Sequence, residues 1–377
     1  MKRDRLANVA WIVVAAWVLL YAPVAFEYMA RFFFPSPALW DHAYSGVVGH
    51  QQALGTGSIY AVQSSRYHDN AAVMVAHTTL AAAAVALAVF QLSSRSRRRI
   101  QVHRRLGRVL IPSVVVAMLA AMTFLAAVGP SGTFDGAAFN LQLWGLAIGT
   151  AVSAVLGWVA IRKRHVGTHQ ILMSYMFALL CTAPFLRLGY LAFGVAWPHS
   201  TQEVSNLAGA AVLGFLAPSS AVVVARSVRA PRNAVHPGWR ITASTERAIL
   251  SVAALGAGVL IWQYTMHFDG LDRITSTWLV TAVAVVVVAL RKRWTASDPS
   301  GRADWTVYLA AVGLGFPATA VLWAIYARAF TTTAAFYGAL LTGPALSISV
   351  GVLLIAGSRR TPARVGETLV DLATTPA

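Results

Sequence analysis

The sequence predicts an all-α fold: a polytopic integral membrane bundle of about ten transmembrane helices, with the N- and C-termini both cytoplasmic. Three observations predict it. Of 377 residues, 57% are hydrophobic and 11% charged, whereas about a quarter of a soluble domain is charged. Many apolar runs reach the roughly 18 to 20 residues that cross a hydrocarbon core. The basic residues fall between those runs on a regular beat: 25 of the 30 Lys and Arg precede the first run, follow an even-numbered one, or lie in the tail. A formal charge of +17 would suit nucleic acid if it formed one face. Split into short clusters between apolar runs, it is instead the positive-inside signal of a plasma-membrane protein, whose partner is the bilayer and not nucleic acid. The single cysteine, Cys181, leaves no intrachain disulfide or cysteine cluster.

The elements follow in order. Lys2, Arg3 and Arg5 precede a first span over residues 7–34, read as a retained anchor because no small-residue cleavage site follows it. Glu27 and Arg31 are four apart, on one helix face, where they can pair. Pro35 and Pro37 end this helix, and residues 36–70 read as an extended extracytoplasmic loop. The second span ends near Leu92. A turn over residues 95–108, RSRRRIQVHRRLGR, holds seven arginines and can lie only at a membrane surface. Spans three to six cover about 109–128, 139–161, 169–197 and 206–225, and a polar loop with five arginines follows. Four more spans fall near 248–266, 276–290, 305–326 and 332–355, the eighth short enough to extend through Arg273. The chain thus divides into residues 1–69 (first helix and loop), 70–197 (a four-helix core), 198–356 (five further helices) and a polar, disordered tail, 357–377.

Chemistry is sought where polar residues enter the spans, because they are costly there and meet a partner. His103 and His169 each stand at the cytoplasmic mouth of a span, and these two spans run in the same direction. Arg187 lies about 27 Å further along the axis than His169, and His77 about 22 Å from the cytoplasmic end of its helix. Two polar levels result: an inner one with His103 and His169, and an outer one with His77 and Arg187. A guanidinium within CTAPFLRLGYLAF needs a counter-charge or an anionic ligand. Glu27, Asp69 and Asp135 are the acids nearest in depth, with Glu27 favoured. His42, His50 and His68 with Asp41 and Asp69 form a weak metal candidate, lacking any compact ligand spacing. No phosphate-binding loop, GxSxG, HExxH or CxxC is present.

His77, then Gln91 and Arg95, then HRRLGR (His103, Arg104, Gly107, Arg108), then His169-x-x-x-Met173 and Arg187 together resemble a bacterial polytopic membrane family catalogued as domain of unknown function 2306. The likeness covers about residues 70–195, with Leu172 where the family usually has Trp. It implies a membrane helix bundle and no activity, with Gln91, Arg95, Arg104 and Arg108 supporting the inner surface. A looser resemblance links the same helices to the four-helix core of membrane b-type cytochromes. That likeness implies haem b between His103 and His169, with no histidine on the fourth helix to partner His77. Three function classes follow: a redox protein using the inner pair, a transporter or receptor for a small-molecule or lipid ligand at the outer site, and a membrane enzyme with His77 as acid or base.

Overall fold

The computed structural model describes residues 2–34, 36–226 and 242–359, with side chains left out at 2–8, 94 and 95. All its regular elements are helical. The N-terminal helix α1 (Lys2–Tyr28) ends in a 3-10 turn, Met29–Phe32. Where the sequence predicts an extended loop, the chain instead makes three short helices: α2 (Leu39–Val48), α3 (His50–Leu54) and α4 (Ile59–Asp69). Then come α5 (Ala71–Leu92), a short α6 (Ser94–Arg98) within the arginine turn, α7 (Ile100–Gly132) and α8 (Gly136–Arg162). A broken helix follows, α9 (Val166–Leu180) and α10 (Thr182–Ala196), bent by 41°. The last five are α11 (Gln202–Ala225), α12 (Ala243–His267), α13 (Arg273–Trp294), α14 (Pro299–Tyr326) and α15 (Thr332–Gly357).

Nine helices among the described residues are long and apolar enough to cross a membrane, and ten spans result if α9 and α10 together form one. The protein is therefore an all-α, multi-pass membrane protein. The eighth span does extend through Arg273. The tail from residue 360 and the arginines at 229, 232 and 240 lie outside the described residues.

Local chemistry sets the helix ends. Thr201, Thr242, Asp272, Asp298 and Thr331 each accept a backbone N–H from the first turn of α11, α12, α13, α14 and α15, satisfying donors that otherwise have no partner. At α7 the break comes from Gly129, in a left-handed conformation with φ 64°, followed by Pro130. Between helices, small residues allow close approach. A methyl group on Gly343 would stand 2.9 Å from the Thr319 backbone, and one on Gly256 would stand 2.6 Å from Cα of Pro317. These contacts join α15 and α12 to α14.

The packing order positions the site. Helix α7 packs against α5 and α8, α8 against α9, and α9 back against α5, closing a four-helix ring. Helix α1 lies against α5, while α11 and α15 pack on α8, α9 and α10 and carry α13 and α14. Helices α2 to α4 form a cap over the end of the ring opposite the arginine turn. Arg31, 3% exposed, secures the cap from α1. Its Nη1 meets Asp41 at 3.1 Å and Tyr28 Oη at 2.5 Å, and its Nη2 meets Ser64 Oγ at 3.0 Å. Arg66 and Gln63 of α4 donate to the Gly132 carbonyl, and Ile59 N–H donates to Gln202 of α11. The expected Glu27–Arg31 pair does not form. Glu27 is exposed and accepts the Leu39 N–H at 2.9 Å, because Asp41 offers Arg31 a buried partner instead.

Candidate functional site

A cavity of about 320 Å³ opens inside the ring at the cap end. Its walls are largely apolar, from Met118, Phe124 and Leu125 of α7, Leu143 and Leu146 of α8, and Leu179 of α9. The cap adds Trp40, Ile59 and Tyr67, and α1 adds Tyr21 and Tyr28. Into this lining α5 brings His77 and Thr78, α8 brings Gln142, and α10 brings Arg187 and Tyr190. The size lies at the lower end of small-molecule pockets, and the few polar groups in an apolar wall are what such pockets have.

The break between α9 and α10 belongs to this arrangement. Pro184 has no N–H to continue the helix, and Thr182 Oγ1 donates to the Leu179 carbonyl at 2.6 Å. Trp17 of α1 donates to the Pro184 carbonyl at 3.1 Å and ties the bent segment to the first helix. One turn beyond Pro184 stands Arg187. Its guanidinium lies over the rings of Tyr190 and Tyr28, 5.2 and 5.9 Å from their centroids. Among the described residues it makes no ion pair and no hydrogen bond. None of the three sequence candidates for its counter-charge pairs with it: Glu27 accepts the Leu39 N–H, Asp69 is exposed at the end of α4, and Asp135 is engaged by Asn206.

His77 has a defined orientation. Its Nδ1 lies 2.9 Å from the Ala117 carbonyl of α7, and a carbonyl only accepts, so Nδ1 carries a proton. A neutral ring then keeps its lone pair on Nε2. Tyr67 is a neutral phenol, its ionisation pushed up by burial. Gln142 donates to the Ala210 carbonyl at 3.0 Å, while its Oε1 is buried without a partner among the described residues. Sequence reading brought forward His77 and Arg187 but missed the tyrosines and Gln142. The spacing of Arg187 and Tyr190, three apart on one helix face, was the available signal.

The inner level is arranged differently. Gln91 reaches from the end of α5 to donate to the His103 carbonyl at 2.7 Å, and its Oε1 accepts Ser96 Oγ at 3.3 Å. Gly107 leaves room for that carboxamide, since a Cβ there would stand 2.8 Å from Gln91 Nε2. Gln91, His103 and Gly107 thus act as a clamp between α5 and α7. His169 donates from Nδ1 to the Gly157 carbonyl at 2.8 Å. His103 and His169 are within electrostatic reach of each other, with no hydrogen bond joining them. Arg104 and Arg108 are exposed, and the Arg95 side chain lies outside the described residues.

No group of three or more His, Cys, Asp or Glu among the described residues is placed to hold a metal ion. His68 is bonded through Nδ1 to the Phe32 carbonyl at 2.8 Å, Asp41 is taken by Arg31, and His42 and His50 are exposed.

Residues 74–217 match the family model described as predicted membrane protein (DUF2306). That stretch holds His77, Gln142, Arg187 and Tyr190, the polar residues that the ring helices and α10 bring to the cavity. The cap and helices α12 to α15 lie outside it. No curated protein and no solved structure matches the chain.

Proposed function

We propose that this protein binds an amphipathic anion within the outer half of the plasma membrane, as a small-molecule receptor or transporter. The termini and the arginine turn then face the cytoplasm, as the basic clusters require, and the cap faces outward. The observation that carries the reading is Arg187: a guanidinium in an apolar cavity with neither ion pair nor hydrogen bond among the described residues. An unpaired charge in low dielectric costs several kcal/mol, and each aromatic face returns about 0.5 to 2 kcal/mol. The balance favours an anion against the free N–H donors, with apolar walls for its body. The Tyr67 hydroxyl can donate a further hydrogen bond to the anion at the same cavity, and His77 Nε2 can accept one from a hydroxyl on its body.

The test compares octanesulfonate with octanol as additives to the detergent-purified protein. The sulfonate is expected to raise the melting temperature, by the equivalent of about 2.7 kcal/mol at a hundred times its dissociation constant, and octanol far less. Arg187→Leu is expected to remove the difference. Equal shifts from both additives would sink the anion reading.

A second reading is supported by the inner histidines. They stand on α7 and α9, diagonal across the four-helix ring, and the Nδ1 bond of His169 to a backbone carbonyl leaves Nε2 as the nitrogen that could hold a haem iron. His103 and His169 would hold haem b, which would supply one-electron chemistry there. A visible spectrum before and after dithionite tests it. A colourless protein expressed with ample haem ends this second reading and leaves the anion site untouched.

A further inference from the structure

Polar order continues beyond the cavity wall. Tyr190, 1% exposed, donates its hydroxyl proton to Asn206 Oδ1 at 2.5 Å. Asn206, fully buried on α11, donates in turn from Nδ2 to Asp135 Oδ2. Asp135 occupies the turn between α7 and α8 with φ 58°, a left-handed conformation that aspartate tolerates better than most residues. It stands at the N-cap of α8 without capping it, because its carboxyl group is engaged by Asn206. Its other oxygen, Oδ1, is buried with no partner among the described residues.

A single donor is thin compensation for an ionised carboxylate, whose charge is held by two or three where it persists in a protein interior. Burial holds the Asp135 carboxyl well above the usual carboxylate range; the Asn206 bond opposes this, and the charge of Glu203 on α11 adds to it. Among the described residues, Tyr190 stands beyond Asn206 in the row with Arg187 over its ring, Arg66 of α4 holds the Gly132 carbonyl beside the same turn, and His77 faces the cavity from α5.

The geometry points to Asp135 as a proton site built into the anion site, so that an anion held by Arg187 is accompanied by one proton on Asp135. This rests on the anion site proposed above and adds its coupling ion. With Asp135 ionised, the row from Arg187 through Tyr190 and Asn206 to Asp135 is neutral, and an incoming anion brings an uncompensated charge into low dielectric. With Asp135 protonated, the row carries one positive charge and the anion neutralises it. The Coulomb interaction between the two negative groups, weakly screened in the protein interior, links the events. One O–H bond forms on Asp135 as the bond to that proton in a hydronium ion or buffer acid of the solvent breaks, and no other bond changes. The site loads an anion and a proton as a neutral pair.

The probe is octanesulfonate, which stays ionised at every pH used, so any pH dependence belongs to the protein. Its dissociation constant is measured by calorimetry on the detergent-purified full chain from pH 5.5 to 9, beside proton uptake in weak buffer with an indicator dye. The expected result is affinity that falls by up to about tenfold per pH unit above the Asp135 midpoint, with uptake approaching one proton per sulfonate. Asp135→Asn, which keeps the oxygen that accepts from Asn206, is expected to bind with a flat profile and no uptake. Binding by the wild type with a flat profile and no uptake overturns the proton site alone, as does a slope that survives Asp135→Asn. Absence of sulfonate binding at any pH overturns the anion site and the proton site with it. Should Asp135→Asn fail to fold, proton uptake by the wild type still decides.

Discussion

Arg187 and Asp135 are two residues whose charge the fold does little to satisfy, and each makes an expectation about stability. Replacing Arg187 with Leu breaks no ion pair, since none exists among the described residues. The ligand-free variant is therefore expected to melt at or above the wild-type temperature while losing its response to the sulfonate. A drop of several degrees without ligand would show that the charge is structurally paired. For Asp135 the sign follows from linkage. Its carboxyl ionises at a higher pH in the folded chain, through burial, than the unfolded value of about 4. No penalty exists below that unfolded value; as pH rises toward the folded value, the unfolded chain releases its proton first and stability is lost. Asp135→Asn is expected to melt higher than wild type at pH 8 and to lose that advantage at pH 4. Thermal melts at the two pH values decide it.

At the scale of elements, the cap and the helix crossings differ in how much they can yield. Arg31 and Asp41 form a buried pair that joins α1 to the cap. Arg31→Met leaves a buried carboxylate uncompensated, at a cost of about 3 to 5 kcal/mol. Replacing both partners with apolar residues is expected to recover much of that loss in the melting temperature. Glycine positions separate by what the new methyl group would meet. At Gly107 it meets the far end of Gln91, which can rotate away at the cost of its bond to His103, about 1 kcal/mol. At Gly343 it meets the backbone of Thr319, which cannot, and overpacking costs about 1 to 3 kcal/mol or more. Gly343→Ala is expected to destabilise more than Gly107→Ala; the reverse order would mean the α14–α15 crossing adjusts freely.

For the whole molecule, the spans and the basic clusters imply one orientation. Reporter fusions at Arg98, Arg164 and Ser300 are expected to report cytoplasm, and fusions near Ser58 and Asp269 the outside. One reversal in the cytoplasmic set would remove the ten-span arrangement. That arrangement bears on the second half of the molecule: with α9 and α10 counted as one span, the basic residues after α11 and α13 fall on the same side as the arginine turn. The broken helix is therefore a joint of topology and site together. Its bend carries a cation into the ring without a second membrane crossing.

Sequence alone determined the class, an all-α multi-pass bundle whose expected ten spans agree with the structure when α9 and α10 form one, because apolar run length and charge spacing answer directly to the thickness and dielectric of the bilayer. It singled out His77 and Arg187 for the same reason: a polar group at depth is visible one residue at a time. Which groups meet was decided by tertiary structure. Glu27 and Asp41 are both near Arg31 in sequence, and only the folding of residues 39–69 into a helical cap gives Arg31 to Asp41 and leaves Glu27 on a backbone N–H. The tyrosines around Arg187, the Gln91 clamp on His103 and the row from Tyr190 to Asp135 join helices α1, α5, α7, α10 and α11 across up to about 160 residues of chain. Local periodicity carries no information at that range. Packing of the ring and its cap sets those distances.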